Sequence, residues 1–526
     1  MPVFCRAAGG AGRMALVSGR DSWHHRRRMR KAQLVPSEKG IGTRMNVLFV
    51  TSEAFPLVKT GGLGDVAGAL PVALRAQGID ARLLLPAYPD AMAKARLSGR
   101  SVALGNPLGV GEARLLEGEM PDSGCPLWLL DCPPMFERSG NPYMIYPGYD
   151  WPDNFRRFAL LSKVAAMMGG TGGLMQWRPD VLHCHDWQTG FVPAYLKAWG
   201  ARHPPVLFTI HNLHYMGLFG TEILDLIGLP HWMRGIDGVE HHGLVSALKA
   251  GLQYAQAIST VSPTYADEIR SPEGGMGLDG LLRLRGDAVS GILNGIDAGI
   301  WDPVHDPCLA APIDAANPDP GKTANKIALQ RRMGLDPDPS RPVFGLVSRM
   351  VEQKGIDLIL SAIPRMVQGG VFLAILGSGD RHFEYELNRA AAAHPGHVAI
   401  HVGYDEALSH MIQAASDFLL VPSRFEPCGL TQLYALRYGS IPVVRRTGGL
   451  ADSVVHIDHD PEGTGIVFDH PFSDALEWAI GRALALYDDK PALEAVRKRG
   501  MARDFSWNRS AKEYVRLYER LTAFQP

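Results

Sequence analysis

At 526 residues the chain is long enough for several domains, and its 53 Lys and Arg nearly cancel its 54 Asp and Glu. That balance excludes a partner chosen by bulk charge, whether nucleic acid or an anionic membrane, and no apolar run is long enough to span a bilayer as a helix. Cys5, Cys125, Cys132, Cys184, Cys308 and Cys428 are scattered without a Cys-x-x-Cys pair, which fits a reducing cytoplasm better than a disulfide scaffold.

Residues 1–44 read differently from the rest. They hold a basic knot, His24-His25-Arg26-Arg27-Arg28-Met29-Arg30-Lys31, against only two acids, Asp21 and Glu38. No apolar core follows the knot, so a secretory signal is not expected. The composition also matches an organelle transit peptide. The preferred expectation is a disordered tail, or an upstream start ahead of Met45, with no chemistry of its own.

From Met45 onward strand and helix signals alternate. The first apolar run, Val47–Val50, leads into Lys59-Thr60-Gly61-Gly62-Leu63-Gly64-Asp65. A lysine before a glycine pair lets the backbone approach a bound group closely, and the helical pattern from Asp65 offers N-terminal N–H groups to an anion. Further runs lie at Ala81–Leu85, Leu127–Leu130, Val181–His183, Val206–Ile210 and Ala257–Val261, with helical patterns such as Phe155–Met168 and Thr189–Lys197 between them. After a Pro/Asp-rich stretch from Asp302 to Pro320 and the helix Lys322–Met333, the rhythm restarts. Strands are expected at Val343–Val347, Phe372–Leu376, Val398–Val402, Phe418–Val421 and Ile441–Val444, and Ser510–Leu521 reads as one amphipathic helix.

Short apolar strands between amphipathic helices indicate parallel sheets covered on both faces. The expectation is therefore α/β, as two doubly wound Rossmann-like domains facing a cleft: 45–290, then 291–505, with 506–526 as a final helix. Thr447-Gly448-Gly449-Leu450-Ala451-Asp452 repeats the design of the first glycine loop, and this recurrence favours a ligand site in each half.

Ligands of such sheets bind beyond the carboxyl ends of the strands. There the sequence places Arg349 and Lys354, five apart in one loop, which suit a diphosphate as fork and point charge. Gly377-Ser378-Gly379-Asp380 follows another strand. After Phe418–Val421 comes Pro422-Ser423-Arg424-Phe425-Glu426-Pro427-Cys428-Gly429-Leu430-Thr431, where the proline and glycine are expected to open a phosphate-facing helix just beyond Glu426.

The ordered set Lys59-Thr60-Gly61-Gly62-Leu63, His183-Cys184-His185-Asp186-Trp187, His211-Asn212-Leu213, Ser262-Pro263-Thr264-Tyr265, Asn294-Gly295-Ile296-Asp297, Ser348-Arg349, Gln353-Lys354-Gly355 and Glu426-Pro427-Cys428-Gly429-Leu430-Thr431-Gln432 resembles the bacterial glycogen synthases, a family shared with plant starch synthases. The resemblance runs from about Met45 to the C-terminus. It implies the glycosyltransferase B fold, with the last helix crossing back to the first domain. It also implies retaining transfer of glucose from ADP-glucose to the nonreducing end of an α-1,4-glucan, with no cofactor and no metal.

By the same resemblance, Glu426, Arg349, Lys354, His211 and Asp186 are the catalytic set. Arg349 and Lys354 meet the charge of the departing diphosphate, the His211 carbonyl faces the reacting carbon, and Asp186 lies near glucose or acceptor. Substrate binding falls to Lys59, Gly61, Gly62, Asp65, Asn294, Cys428, Gly429, Leu430 and Thr431, with Tyr404 stacking on adenine and Asn141-Pro142-Tyr143 bordering the acceptor path. Tyr434 departs from wider glycosyltransferase patterns, where a second glutamate contacts the ribose.

Competing readings stay open at this level. His183 and His185 share one side of a strand and could ligate a metal, although no third ligand is evident and buried, hydrogen-bonded histidines are expected instead. Cys428 could be a nucleophile, but no base partners it. Gly62-x-Gly64-x-x-x-Gly68 misses the dinucleotide fingerprint by one residue. The alternatives to an ADP-glucose enzyme are a retaining transferase using UDP-glucose or another acceptor, and a noncatalytic glucan- or nucleotide-sugar-binding regulator.

Overall fold

The computed structural model describes residues 44–146, 148–170 and 176–523; the expected tail, except for Arg44, lies outside them. Nine of the strands between Asn46 and Gly291 form one sheet. In chain order they are β1 (Asn46–Val50), β2 (Asp80–Pro86), β3 (Arg96–Gly105), β4 (Ala113–Glu119), β5 (Pro126–Asp131), β6 (Val181–His185), β7 (Val206–Ile210), β8 (Ala257–Thr260) and β9 (Val289–Gly291). Their order across the sheet is β9-β8-β7-β6-β1-β2-β5-β4-β3. All neighbours are parallel except at the edge, where β3 and β4 add an antiparallel hairpin to β5. The apolar-run criterion missed that hairpin because β3 is solvent-facing along most of its length and carries no continuous apolar stretch.

A second, all-parallel sheet holds β10 (Val343–Val347), β11 (Phe372–Gly377), β12 (Val398–Val402), β13 (Phe418–Val421), β14 (Ile441–Arg445) and β15 (Ile466–Phe468). Its order is β12-β11-β10-β13-β14-β15, the doubly wound pattern in which the winding direction reverses between the first and fourth strands. In the first sheet the reversal falls between β1 and β6, with β2 on the other side of β1. Each reversal splays two strand-end loops apart and leaves a crevice. The four loops concerned follow β1, β6, β10 and β13.

The central strands are apolar on both faces because helices cover both, and separate cores form in the two halves. Five helices bear on the site: α1 (Gly62–Ala76), α2 (Pro263–Glu268), α3 (Thr431–Arg437), α4 (Gly448–Ser453) and α5 (Trp507–Ala523). Although last in the chain, α5 buries Trp507, Ala511, Tyr514, Leu517 and Tyr518 in the core of the first half. The Tyr518 hydroxyl sits 2.8 Å from His183 Nδ1. No helix among the described residues is long and apolar enough to cross a membrane.

Candidate active site

The loop after β1 is built by an acid that sequence reasoning overlooked. The Glu53 carboxylate, almost fully buried, accepts from the Thr60 amide and hydroxyl (both 2.5 Å), the Gly61 amide (3.2 Å) and the Tyr143 hydroxyl (2.5 Å). Its signal was its place, three residues past the end of a strand beside the winding reversal. Glu53 thus occupies the amides of Thr60 and Gly61, just ahead of α1. What faces outward is the glycine pair: Gly61 and Gly62 are exposed, and a Cβ at either would meet open space. Lys59 pairs with Asp65 at 2.8 Å. Burial pushes the Asp65 carboxyl up, Lys59 opposes this, and the Glu406 and Glu53 carboxylates push it further.

Glu406 belongs to the second half, so the Lys59–Asp65 pair and the Tyr404–Glu406 segment face one another across the cleft. Tyr404 is 77 % exposed, and its hydroxyl donates to Glu406. The His410 imidazole, with Nε2 at 3.6 Å, helped by the Tyr404 hydroxyl and by the charge of Lys59, holds the Glu406 carboxyl down to about 2.

The loop after β6 starts at Asp186, whose backbone takes φ 54° and ψ −176°, a conformation costly for any residue with a Cβ. Asp186 Oδ1 accepts the His211 N–H at 2.7 Å and so pins the backbone at the end of β7. Burial raises the Asp186 carboxyl to about 7, against the pull of the His211 and Asn212 amides. Beneath it, His185 Nδ1 lies 2.9 Å from His211 Nε2, while His183 bonds Tyr518 and Thr209. Burial pushes all three histidines down, His211 to about 3, so they are neutral hydrogen-bonding groups at neutral pH. His183 and His185 are both buried and hydrogen-bonded; both nitrogens of His183 are occupied, whereas His185 Nε2 is buried without a hydrogen-bond partner.

In the second half, Arg349 is exposed and donates to the neutral amide oxygen of Gln353 (3.2 Å). Lys354 instead forms an ion pair with Glu426, which also accepts from the Ser423 hydroxyl (2.9 Å). Gly355, at φ 70°, lets the turn pass Pro422, whose carbonyl oxygen would lie 2.4 Å from a Cβ there. The structure thus brings Glu426, Lys354 and Arg349 to one crevice from two strand-end loops.

Two expectations need correction here. The phosphate-facing helix does not open at Pro427: residues 427–430 remain loop, Gly429 takes a left-handed φ of 68°, and the seven-residue α3 begins only at Thr431. The second glycine loop is not a ligand site of the first loop's design. Its amides are consumed, Gly448 N–H by Glu268 Oε1 (2.9 Å) and Gly449 N–H by the Glu426 carbonyl (3.1 Å). Repetition of sequence reflects a shared strand-to-helix turn, and the partners of the amides decide its use.

Cys428 is buried and its thiol is pushed up to about 12 by burial, so it stays protonated and lines the crevice rather than attacking. Asn294 contacts it, and Asn294 Oδ1 is buried without a hydrogen-bond partner. Leu430 is half-buried between two cores. Tyr434 stacks on Trp301 at 3.7 Å, so that position offers an aromatic ring and no carboxylate. Among the described residues, Asp306, Cys308 and His410 have metal-ligand spacing, but Asp306 Oδ2 already lies 2.6 Å from both His410 Nδ1 and the Tyr438 hydroxyl. That cluster is a closed hydrogen-bond network.

Comparison with known proteins matches this geometry. Residues 46–284 match the starch synthase catalytic domain and residues 331–500 the group 1 glycosyl transferases. A glycogen synthase of Rhodospirillum rubrum is 71 % identical over 474 residues, covering 90 % of this chain and 98 % of its own. One from Paramagnetospirillum magneticum is 49 % identical, covering 91 % and 98 %. Among solved structures, the catalytic domain of starch synthase IV from Arabidopsis thaliana, bound to ADP and acarbose, superposes with a TM-score of 0.81. It is 34 % identical and covers 91 % of this chain and 100 % of its own. Sucrose-phosphate synthase from Thermosynechococcus elongatus, 18 % identical with a TM-score of 0.57 and coverage of 92 % and 100 %, shares the fold. The two facing doubly wound halves are those of a glycosyltransferase B fold, and the chain belongs to the glycogen synthase and starch synthase family of glycosyltransferases.

Proposed function

We propose that this enzyme transfers glucose from ADP-glucose to the nonreducing end of an α-1,4-glucan with retention of configuration, in the cytoplasm, with the donor held between the two crevices. The observation that carries this is the charge arrangement at the second winding reversal: an exposed Arg349 with a neutral partner beside a Lys354–Glu426 pair. A diphosphate leaves readily once its growing charge is met, and fixed cations supply that without reorganisation. Arg349 brings a guanidinium bonded to a neutral amide oxygen, its charge not offset by a carboxylate partner in that bond. Lys354, shared with Glu426, sets the carboxylate on the leaving-group side, where it can accept from sugar hydroxyls and favour positive charge at the ring without attacking carbon. No protonated carboxyl is needed to expel such a leaving group, in contrast to glycosidases.

The ADP in the Arabidopsis relative supports a nucleoside-diphosphate donor, and the free cysteines support a reducing compartment. In this reading Lys59, Gly61 and Gly62 meet the sugar nucleotide, Asp65 holds Lys59, and Tyr404 offers its exposed ring to the base. The test is purified enzyme with a glucan primer and labelled ADP-glucose or UDP-glucose, with and without EDTA. Incorporation from ADP-glucose that survives chelation is expected, because Arg349 and Lys354 stand where a metal would neutralise the diphosphate. Preference for UDP-glucose would overturn the donor assignment, and loss to chelator with recovery on manganese would overturn the metal-free mechanism.

A further inference from the structure

The second glycine loop, though not a ligand site, lies in an unusual reciprocal arrangement. Helix α2 in the first half and helix α4 in the second pack side by side, and each ends in an acid that caps the start of the other. Asp452, near the end of α4, accepts the Thr264 N–H (2.8 Å) and hydroxyl (2.7 Å) at the start of α2. Glu268, the last residue of α2, accepts the Thr447 hydroxyl (2.8 Å) and the Gly448 N–H (2.9 Å) at the start of α4. The first N–H groups of any helix have no partner within it, and carboxylates are strong acceptors for them. Capping residues usually precede their own helix. Ser262 does so for α2 and no such side-chain cap serves α4, yet both helices take a cap from the opposite half of the molecule.

The capped pair grips the loop that carries Glu426. Gly449 N–H donates to the Glu426 carbonyl (3.1 Å), and a Cβ at Gly448 or Gly449 would lie 2.0 Å from the carbonyl oxygen of Glu426 or Cys428 respectively. From the first half, the hydroxyl of Ser262, which precedes α2, donates to the Pro427 carbonyl (2.6 Å). The backbone from Glu426 to Cys428 is thus held from both halves at once.

We infer that Glu268 and Asp452 are positioning residues: their reciprocal caps lock α2 to α4 and thereby fix the Glu426 loop against the first half. This inference rests on the role of Glu426 proposed above, which the caps serve without touching substrate. Because either cap spans the two halves, losing one should release the same helix pair that losing the other releases.

The test uses the full chain with Glu268→Ala, Asp452→Ala, the double variant and Glu268→Gln, whose amide oxygen still accepts. Each alanine variant is expected to lower kcat by about 10- to 100-fold with KM for ADP-glucose within about threefold, and Glu268→Gln to regain most of the loss. The double variant should fall no more than about threefold below the worse single one, since neighbours acting as a unit are not additive. Amide exchange of the 426–430 segment should rise in both single variants with little change in Tm. Unchanged kcat in both singles, multiplied losses in the double, or unaltered exchange at 426–430 would each overturn the inference. Glu426→Gln, assayed alongside, separates the two readings. If it keeps full activity, the role of Glu426 falls; if it loses activity while the cap variants keep theirs, the clamp falls and Glu426 stands.

Discussion

The Glu426 carboxylate is bonded to the Lys354 ammonium and the Ser423 hydroxyl, so deleting it would remove the proposed contact with the donor and also leave a half-buried cation unpaired. Glu426→Gln is therefore the cleaner probe, because its amide oxygen can still accept. Charged hydrogen bonds contribute about 1.5–3 kcal/mol each. If two matter mainly in the transition state, Glu426→Ala should lower kcat by roughly two to four powers of ten, with Glu426→Gln in between and ADP affinity little changed. A glucosyl ester trapped on Glu426 and seen by mass spectrometry would make it a nucleophile instead.

Asp186 poses the opposite problem, with its carboxyl lifted to about 7 by burial. Between the unfolded value near 4 and that folded value, the native state keeps a proton that the unfolded chain releases. Stability from this group is therefore highest below pH 4 and is lost as pH rises through 7. A tenfold change in proton affinity is worth about 1.4 kcal/mol, so the loss is on the order of a few kcal/mol. Asp186→Asn stays neutral, keeps an acceptor for the His211 N–H, and should flatten the fall in Tm between pH 5 and pH 8. Equal falls in the two proteins would refute this.

Among the elements, the turn from β1 into α1 depends on one buried acid for its shape. Glu53 holds two amides and a hydroxyl of the Lys59–Gly62 loop and reaches Tyr143 on another segment. Glu53→Gln replaces an acceptor oxygen with an N–H group that faces other donors. A drop in kcat/KM for the donor of about one to two powers of ten is expected, equivalent to one or two charged hydrogen bonds. Tyr143→Phe, which removes a single bond, should lose less. Steady-state kinetics placing Glu53→Gln within twofold of the parent would remove the loop from the donor site. The strands around this turn were readable from their apolar runs, and the glycine pair from its spacing. Glu53 was not, since a lone acid after a strand carries no pattern until its partners are known.

For the molecule as a whole, the α2–α4 contact ties the halves together, and Lys59 and Asp65 face Tyr404 and Glu406 across the cleft. A donor that touches both lips should draw them together, a hinge motion of the kind common in two-domain enzymes. Small-angle scattering should show a smaller radius of gyration at saturating ADP. An unchanged profile at saturating ADP would count against this closure.

The sequence by itself determined the alternation of strand and helix, the doubly wound class, and the strand-end loops that hold Arg349, Lys354 and Glu426. Those features are local: a buried parallel strand must be apolar throughout, and a winding reversal leaves its loops at one end. Only the tertiary structure decided which charges meet. Lys354 and Glu426 lie 72 residues apart, Thr264 and Asp452 lie 188 apart, and nothing in the spacing of either pair announces it. The same holds for two glycine loops of one design. One gives the Gly61 amide to Glu53 and still turns its glycines to open space, and the other spends its amides on Glu268 and a backbone carbonyl, because a hydrogen bond is satisfied by whatever acceptor the fold brings to about 3 Å.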